Sequence, residues 1–180
     1  MRKGVNPYYS GPVSDHFDGV RFFNPGGSAP RGFIDLLRWQ FGDRRARWPG
    51  RFDSPFLPAK PDLTIDGDRL RVTMVGHATL LLQVAGLNIL TDPIWSRRAS
   101  PFAFAGPHRR NAPGILMEDL PPIDVVLVTH NHYDHLDLET LSALNAEHAP
   151  HLVTPLGNDT IIRRAAPDAA ISVLDWGDRV

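Results

Sequence analysis

The segment that decides the fold of this chain is Val125–His135, whose sequence is VVLVTHNHYDH. Its first half is a continuous run of apolar β-formers, which predicts a strand buried on both faces. Its second half, His130–His135, places three imidazoles and one carboxylate within six residues. The segment therefore predicts a core strand that delivers a cluster of polar side chains to its carboxyl end.

The polar cluster has the composition of a divalent-metal site. Imidazole and carboxylate are ligands of Zn²⁺ and similar ions, and a chain without cysteine has no thiolate to offer. His130 and His132 are two residues apart, so on extended backbone they share a face and can bind one ion. Asp134 and His135 follow where the chain turns and can reach a second ion, and two metals side by side indicate hydrolysis. The alternative, a turn of solvated histidines, would suit a lone histidine better than this pattern.

With this motif the chain resembles the metallo-β-lactamase superfamily, whose members carry H-x-H-x-D-H after a buried strand. Within the superfamily it is similar to the N-acylphosphatidylethanolamine-hydrolysing phospholipase D group and its bacterial relatives, with the ascorbate-6-phosphate lactonases as more distant cousins. The segments that carry this second similarity are His16–Pro25, Val75–Leu80, Asn88–Trp95, Gly106–Pro107, Leu120–Asp124 and Pro155–Asn158.

The resemblance implies an α/β fold, the metallo-β-lactamase αββα sandwich, of which this chain holds the N-terminal half. The remaining ligands of the family (a histidine, a bridging aspartate and a final histidine) lie in the second half, so we expect a fragment or a truncated gene product. Each ion would then have two ligands here, whereas catalytic zinc has about three protein ligands and a water. We therefore expect the 180-residue chain alone to bind zinc weakly and to be inactive.

The resemblance also implies roles for residues around the motif. Asp134 is expected to ligate metal and to orient the nucleophile, and Tyr133 to line the substrate cavity, with a stacking residue that stiffens the loop as its alternative. Asp92 is expected behind the ligands, as hydrogen-bond partner of a metal-bound histidine, with a turn-forming role before proline as its alternative. His77 is interpreted as a structural residue that ties strand to strand beneath the site, rather than as a ligand.

The function that these residues imply is metal-dependent hydrolysis. The most specific expectation is a phosphodiesterase of phospholipase D type that acts on an N-acylphosphatidylethanolamine-like lipid through a hydroxide activated by two zinc ions, with manganese or iron as alternative metals. A lactonase or another ester hydrolase is the alternative within the superfamily, and a catalytically inert half-domain is the alternative outside it. Arginines in the long loop Trp95–Pro122 form either a solvated rim or a clamp for phosphate. These arginines are Arg97, Arg98, Arg109 and Arg110.

Composition bounds the partners and the compartment. The chain is 42% hydrophobic and 22% charged, which is typical of a soluble globular protein. Its net charge of −1 gives no reason to expect nucleic-acid binding, so a small-molecule or phospholipid substrate is the expected partner. Residues 1–7 lack the apolar core of a signal peptide, and no stretch approaches the length of a membrane span. A cytoplasmic protein is expected, with peripheral membrane contact and oligomerisation left open.

Composition also divides the chain at about residue 62. Residues 1–62 are rich in proline, glycine, arginine and aromatic residues, with one helix expected at Phe33–Phe41, and their aromatic residues either cap the following core or form an interface. Residues 63–180 are expected to form the N-terminal part of the metallo-β-lactamase-like domain. Half of a sandwich leaves one apolar sheet face without its opposing layer, so we expect the isolated chain to associate or to be poorly soluble. The strands expected in this part are Leu70–Val75, Thr79–Val84, Ile89–Thr91, Ile123–Thr129, His151–Thr154 and Ile171–Leu174. The helices expected are one capped by Asp137 that ends near His148 and one at Thr160–Ala166.

Overall fold

The computed structural model of this chain describes residues 4–28, 31–42, 50–51, 54–100, 104–106 and 108–180. The chain divides into two compact units, Met1–Gly50 and Arg51–Val180. Ala59 donates a backbone hydrogen bond to Gly114, and the Asp62 carbonyl accepts one from the Gln83 side chain. Residues 59–62, which the composition assigns to the N-terminal segment, thus belong to the second unit and are hydrogen-bonded within it.

The first unit contains helix α1, Phe33–Gly42, where the sequence predicts a helix. Its described residues also include an aromatic cluster, in which the Phe17 ring, 1% exposed, lies 5.0 Å from the Tyr9 ring and 4.6 Å from the Phe22 ring. Such edge-on and tilted contacts stabilise a small unit beyond the area that they bury. Several residues of the sequence-based description lie outside the described side chains or backbone: Leu36, Trp39, Gln40 and Pro107.

The second unit is built on one mixed sheet, which confirms the predicted α/β class. The strands β1 to β3 form an antiparallel meander, and β3 to β6 run parallel to one another. Strands β1, β3 and β4 therefore end at the same edge of the sheet, which positions the loop that follows β4. In sheet order the strands are β1 (Leu70–Gly76), β2 (Thr79–Val84), β3 (Leu87–Thr91), β4 (Val125–Leu127), β5 (His151–Pro155) and β6 (Ile171–Leu174).

Two helices connect the parallel strands, α2 at Leu138–His148 and α3 at Asn158–Ile162. The predicted N-cap of α2 is confirmed, since the Asp137 side chain accepts a hydrogen bond from the Thr140 amide. Helix α3 begins and ends earlier than predicted. After it the amides of Arg164 and Ala165 bond three residues back, in tighter turns, and Pro167 cannot continue a helix.

The two faces of the sheet differ in burial. On one face Leu81, Leu90, Val126 and Leu152 are at most 1% exposed and share a core with residues of α2 and α3. On the opposite face, apolar side chains of paired residues on neighbouring strands form a row across the sheet. Each of them is either partly buried or exposed. We call this surface the open face, and its row is Val72, Leu82, Ile89 and Val125.

The prediction that the β4 strand is buried on both faces is wrong. Val125 and Leu127 project onto the open face and are only partly buried, because no second layer of described residues in this unit covers them. The strand is also shorter than the predicted Ile123–Thr129. At its carboxyl end the Thr129 amide leaves the ladder and donates to the side chain of Asp92. Among the described residues, no helix is long and apolar enough to cross a bilayer.

Candidate metal centre

The loop after β4 folds three histidine rings together. The amides of His135 and Leu136 both donate to the His132 carbonyl, at 2.9 and 2.8 Å, which turns the chain back on itself. As a result the ring centroids of His130 and His135 lie 4.0 Å apart, and those of His130 and His132 lie 4.6 Å apart. A polar run that is local in sequence therefore becomes a cluster at the carboxyl edge of the sheet.

Two pairs of potential donor atoms lie close together in this cluster. His130 Nε2 lies 3.0 Å from His132 Nδ1, and His135 Nε2 lies 3.8 Å from Asp134 Oδ2. Zinc holds histidine nitrogen and carboxylate oxygen at roughly 2.0–2.2 Å, so two ligands of one ion can be at most about 4.4 Å apart. Both pairs satisfy that limit, so the distances allow the two donors of each pair to share one divalent ion.

Asp92 holds the cluster from behind. It follows β3 with a φ of +37°, and its side chain is almost completely buried. Its carboxylate accepts hydrogen bonds from the Thr129 amide and hydroxyl, both at 2.7 Å, and from His135 Nδ1 at 2.9 Å. A proton held on Nδ1 leaves the Nε2 lone pair of His135 directed at Asp134, which is the tautomer that metal ligation requires.

The directions of the pKa shifts of His130 and Asp134 suit metal binding. Burial lowers the pKa of His130, and the neighbouring His135 and His132 lower it further. Burial by itself would raise the pKa of Asp134, but the loop amide and the imidazoles of His135 and His77 lower it overall. The neutral imidazole and the ionised carboxylate are the forms that ligate a cation.

His77 lies beside Asp134, not beneath the site where its sequence-based interpretation put it. Its Nε2 is 3.0 Å from Asp134 Oδ2, its ring centroid is 5.3 Å from that of His135, and its side chain is 57% exposed. His77, Asp134 and His135 each offer a ligand atom within 4.8 Å of the others. A third donor, from the hairpin of β1 and β2, thus stands beside the Asp134–His135 pair, and the expected count of two ligands per ion stays a prediction.

Tyr133 and two arginines of the long loop are further residues for which the sequence predicts a role. Tyr133 lies between the ligands with 56% of its surface exposed, and its role in lining a substrate cavity stays a prediction. Arg98 Nη1 donates to the Gly106 carbonyl at 2.7 Å, and Arg109 Nη2 donates to the Ile94 carbonyl at 2.6 Å. The guanidinium group of Arg98 thus binds backbone within the long loop, and that of Arg109 binds the backbone just before the loop.

The partly buried Arg109 also lies near the hairpin that carries His77. A Cβ atom on Gly76 would stand 3.4 Å from Arg109 Nη1. Burial lowers the pKa of Arg109 and the nearby Asp137 carboxylate raises it, so the group stays a cation at neutral pH. One positive charge is therefore fixed beside the turn between β1 and β2.

Comparisons with known proteins place this site in a family context. A family model described as a beta-lactamase superfamily domain matches residues 87–180, more than half of the chain, including β3 to β6 and the histidine loop. The chain is 40% identical over 146 residues to an uncharacterised protein of Mycobacterium tuberculosis strain H37Rv, a match that covers 79% of this chain and 38% of that protein.

Two further relatives have descriptive names. The chain is 37% identical over 114 residues to N-acyl-phosphatidylethanolamine-hydrolyzing phospholipase D 1 of Caenorhabditis elegans, covering 61% of this chain and 32% of that protein. It is 33% identical over 76 residues to a metal-dependent hydrolase of Aeropyrum pernix, covering 42% of this chain and 26% of that protein. The chain thus spans less than half the length of each of these three relatives.

Proposed function

The chain belongs to the beta-lactamase superfamily, and on that premise we propose that it provides the metal-holding part of a metal-dependent hydrolase. Its sheet with helices against one face corresponds to one half of the αββα sandwich of that superfamily. The observation that carries the proposal is the cluster of donors at the carboxyl edge of the sheet, with its buried carboxylate behind it. These donors are His130, His132, Asp134 and His135, and the carboxylate behind them is Asp92.

The proposed cofactor is a pair of zinc ions, one at each donor pair, with manganese or iron as alternatives. Bound divalent ions would supply Lewis acidity and would lower the pKa of a water to about 7. The chain itself supplies the orientation of the ligands. Asp92 holds His135 in the ligating tautomer, and the Thr129 hydroxyl lies 3.0 Å from His130 Nδ1, so both rings have a fixed partner on the side away from their ligating nitrogens.

The proposed substrate is an N-acylphosphatidylethanolamine-like phospholipid. The named activity of the nematode relative supports this choice, and so does the cation of Arg109 beside the turn that carries His77. A guanidinium in that place can attract the anionic phosphodiester, while the exposed phenol of Tyr133 is available to contact the lipid. In the proposed reaction water adds to phosphorus, the P–O bond to the N-acylethanolamine breaks, and phosphatidic acid is left.

The test measures both products with full-length protein expressed from the complete reading frame. Zinc-loaded protein should release phosphatidic acid and N-acylethanolamine from vesicles that contain N-acylphosphatidylethanolamine, and a chelator should stop the release until zinc is restored. Metal analysis of the purified protein identifies the native ion. Hydrolysis of a lactone without cleavage of the phospholipid would instead support the lactonase alternative. Release that is insensitive to the chelator would contradict the proposed metal dependence.

A further inference from the structure

The hydroxyl group of Thr129 lies between the buried carboxylate behind the candidate metal centre and one of its imidazole rings. Its Oγ1 is 2.7 Å from Asp92 Oδ2 and 3.0 Å from His130 Nδ1, and both distances suit hydrogen bonds. A hydroxyl group has one proton to donate and two lone pairs that accept. Thr129 can therefore donate to only one of these neighbours, and its oxygen must accept from the other.

The proton of the hydroxyl belongs to the contact with Asp92. An ionised carboxylate only accepts hydrogen bonds, and Asp92 also accepts from the Thr129 amide at 2.7 Å. If the hydroxyl donated to His130 instead, its oxygen and Asp92 Oδ2 would face each other at 2.7 Å with no proton between them. The oxygen of Thr129 therefore accepts from His130, which places the proton of that ring on Nδ1.

This order of protons prepares His130 for an ion. With the proton on Nδ1, the Nε2 atom keeps its lone pair, and Nε2 is the atom that lies 3.0 Å from His132 Nδ1. The hydroxyl is not required to fasten the end of β4, because the amide of Thr129 already binds Asp92. A hydroxyl with a purely structural role would thus duplicate the amide, whereas one that orients the ring has a task of its own.

We propose that Thr129 is a positioning residue, whose hydroxyl extends the hydrogen bonding of Asp92 to His130 and keeps Nε2 of that ring free to ligate. The inference rests on the metal site of the proposed function and deepens it. His130 and His135 lie in different donor pairs. Asp92 therefore orders both pairs, His135 by a direct bond of 2.9 Å and His130 through Thr129.

The experiment uses full-length protein and three variants. Thr129→Val keeps the shape of the side chain and the amide bond to Asp92 but lacks the hydroxyl, and Thr129→Ser retains the hydroxyl. Thr140→Val is the matched control, because the Thr140 hydroxyl also donates to a buried carboxylate, that of Asp137, at 2.6 Å. It accepts from the backbone amide of Trp95, at 2.9 Å, where Thr129 accepts from an imidazole.

Two measurements follow the ring and the ion separately. Long-range ¹H–¹⁵N spectra of metal-free protein labelled at histidine show which nitrogen of His130 carries the proton, at about pH 8, above the ordinary pKa of imidazole. His130→Gln assigns the signal. Titration with Zn²⁺ and with Co²⁺ gives the affinity for each ion and the visible absorption of bound cobalt.

Wild-type His130 should carry its proton on Nδ1. Thr129→Val should lose that preference, bind one ion at least about tenfold more weakly and change the cobalt spectrum. Thr129→Ser should restore all three properties, and Thr140→Val should lower the Tm without changing them.

Three results would overturn the positioning role: a wild-type proton on Nε2, wild-type affinity and spectrum in Thr129→Val, or an equal loss of affinity in Thr140→Val. If Thr129→Val does not fold, the wild-type tautomer and Thr129→Ser decide, and a serine variant that folds but binds one ion weakly counts against the role of the hydroxyl. Full-length protein that binds neither metal would overturn the proposed function, whereas the tautomer of His130 is measured without metal.

Discussion

Asp92→Asn should weaken zinc binding by changing which nitrogen of His135 carries the proton. In the wild type, Asp92 Oδ2 lies 2.9 Å from His135 Nδ1, while Thr129 bonds to both carboxylate oxygens at 2.7 Å. An amide nitrogen in place of Oδ2 is a donor, so His135 Nδ1 must accept and the proton moves to Nε2. Nε2 is the atom that faces Asp134 at 3.8 Å, and a proton there removes the lone pair that zinc needs.

The expected magnitude follows from these contacts. Loss of the partner behind a ligating histidine weakens metal affinity by roughly 10–100-fold, which corresponds to about 1.4–2.8 kcal/mol. The free energy of unfolding should fall as well, because removing a buried hydrogen-bond acceptor leaves its donors unsatisfied, at a cost of roughly 1–3 kcal/mol. The change in zinc affinity is the specific effect, and the change in stability accompanies it.

Competition with a chromophoric chelator measures the zinc affinity, and thermal unfolding measures the stability. Asp124→Asn is the control, since the Asp124 carboxylate accepts a 2.8 Å bond from the Asn88 amide at the opposite end of β4. It should lower stability without changing zinc affinity. A folded Asp92→Asn chain that binds zinc as tightly as the wild type would refute the reasoning about the His135 tautomer.

Three other changes test the remaining parts of the structure. In the full-length protein His132→Ala should abolish hydrolysis of a phosphodiester reporter, because it removes the potential metal ligand that lies 3.0 Å from His130 Nε2. Residual turnover above background would contradict the role of His132 as a ligand. Arg109→Ala should raise KM more than it lowers kcat, since a cation near the site is lost. An unchanged KM together with a lower Tm would mean that Arg109 has only a structural role, at the Ile94 carbonyl. Val72→Glu should reduce the self-association of the 180-residue chain that sedimentation measures, because Val72 lies on the open face and is 53% exposed. A wild-type chain that is already monomeric would contradict that expectation.

Features that depend on neighbours in the sequence could be predicted from the sequence. Strand β2 lies at the predicted Thr79–Val84, and α2 begins after its predicted cap, Asp137, because alternation and capping act within a few residues. The clustering of the histidine loop was predictable for the same reason, since His130 and His135 are separated by only one short turn.

Features that depend on the ends of distant strands were decided by the tertiary structure. His77 lies 57 residues before Asp134, and Asp92 lies 43 residues before His135, so spacing carries no information about either contact. The sheet brings them together because β1, β3 and β4 run in the same direction and end at one edge. The half-exposed state of β4 does not follow from its apolar run, which predicts burial on both faces; the uncovered face was expected only from the family resemblance. The sequence alone thus determined which chemical groups lie in the histidine loop, and the order and direction of the strands determined which distant residues contact them.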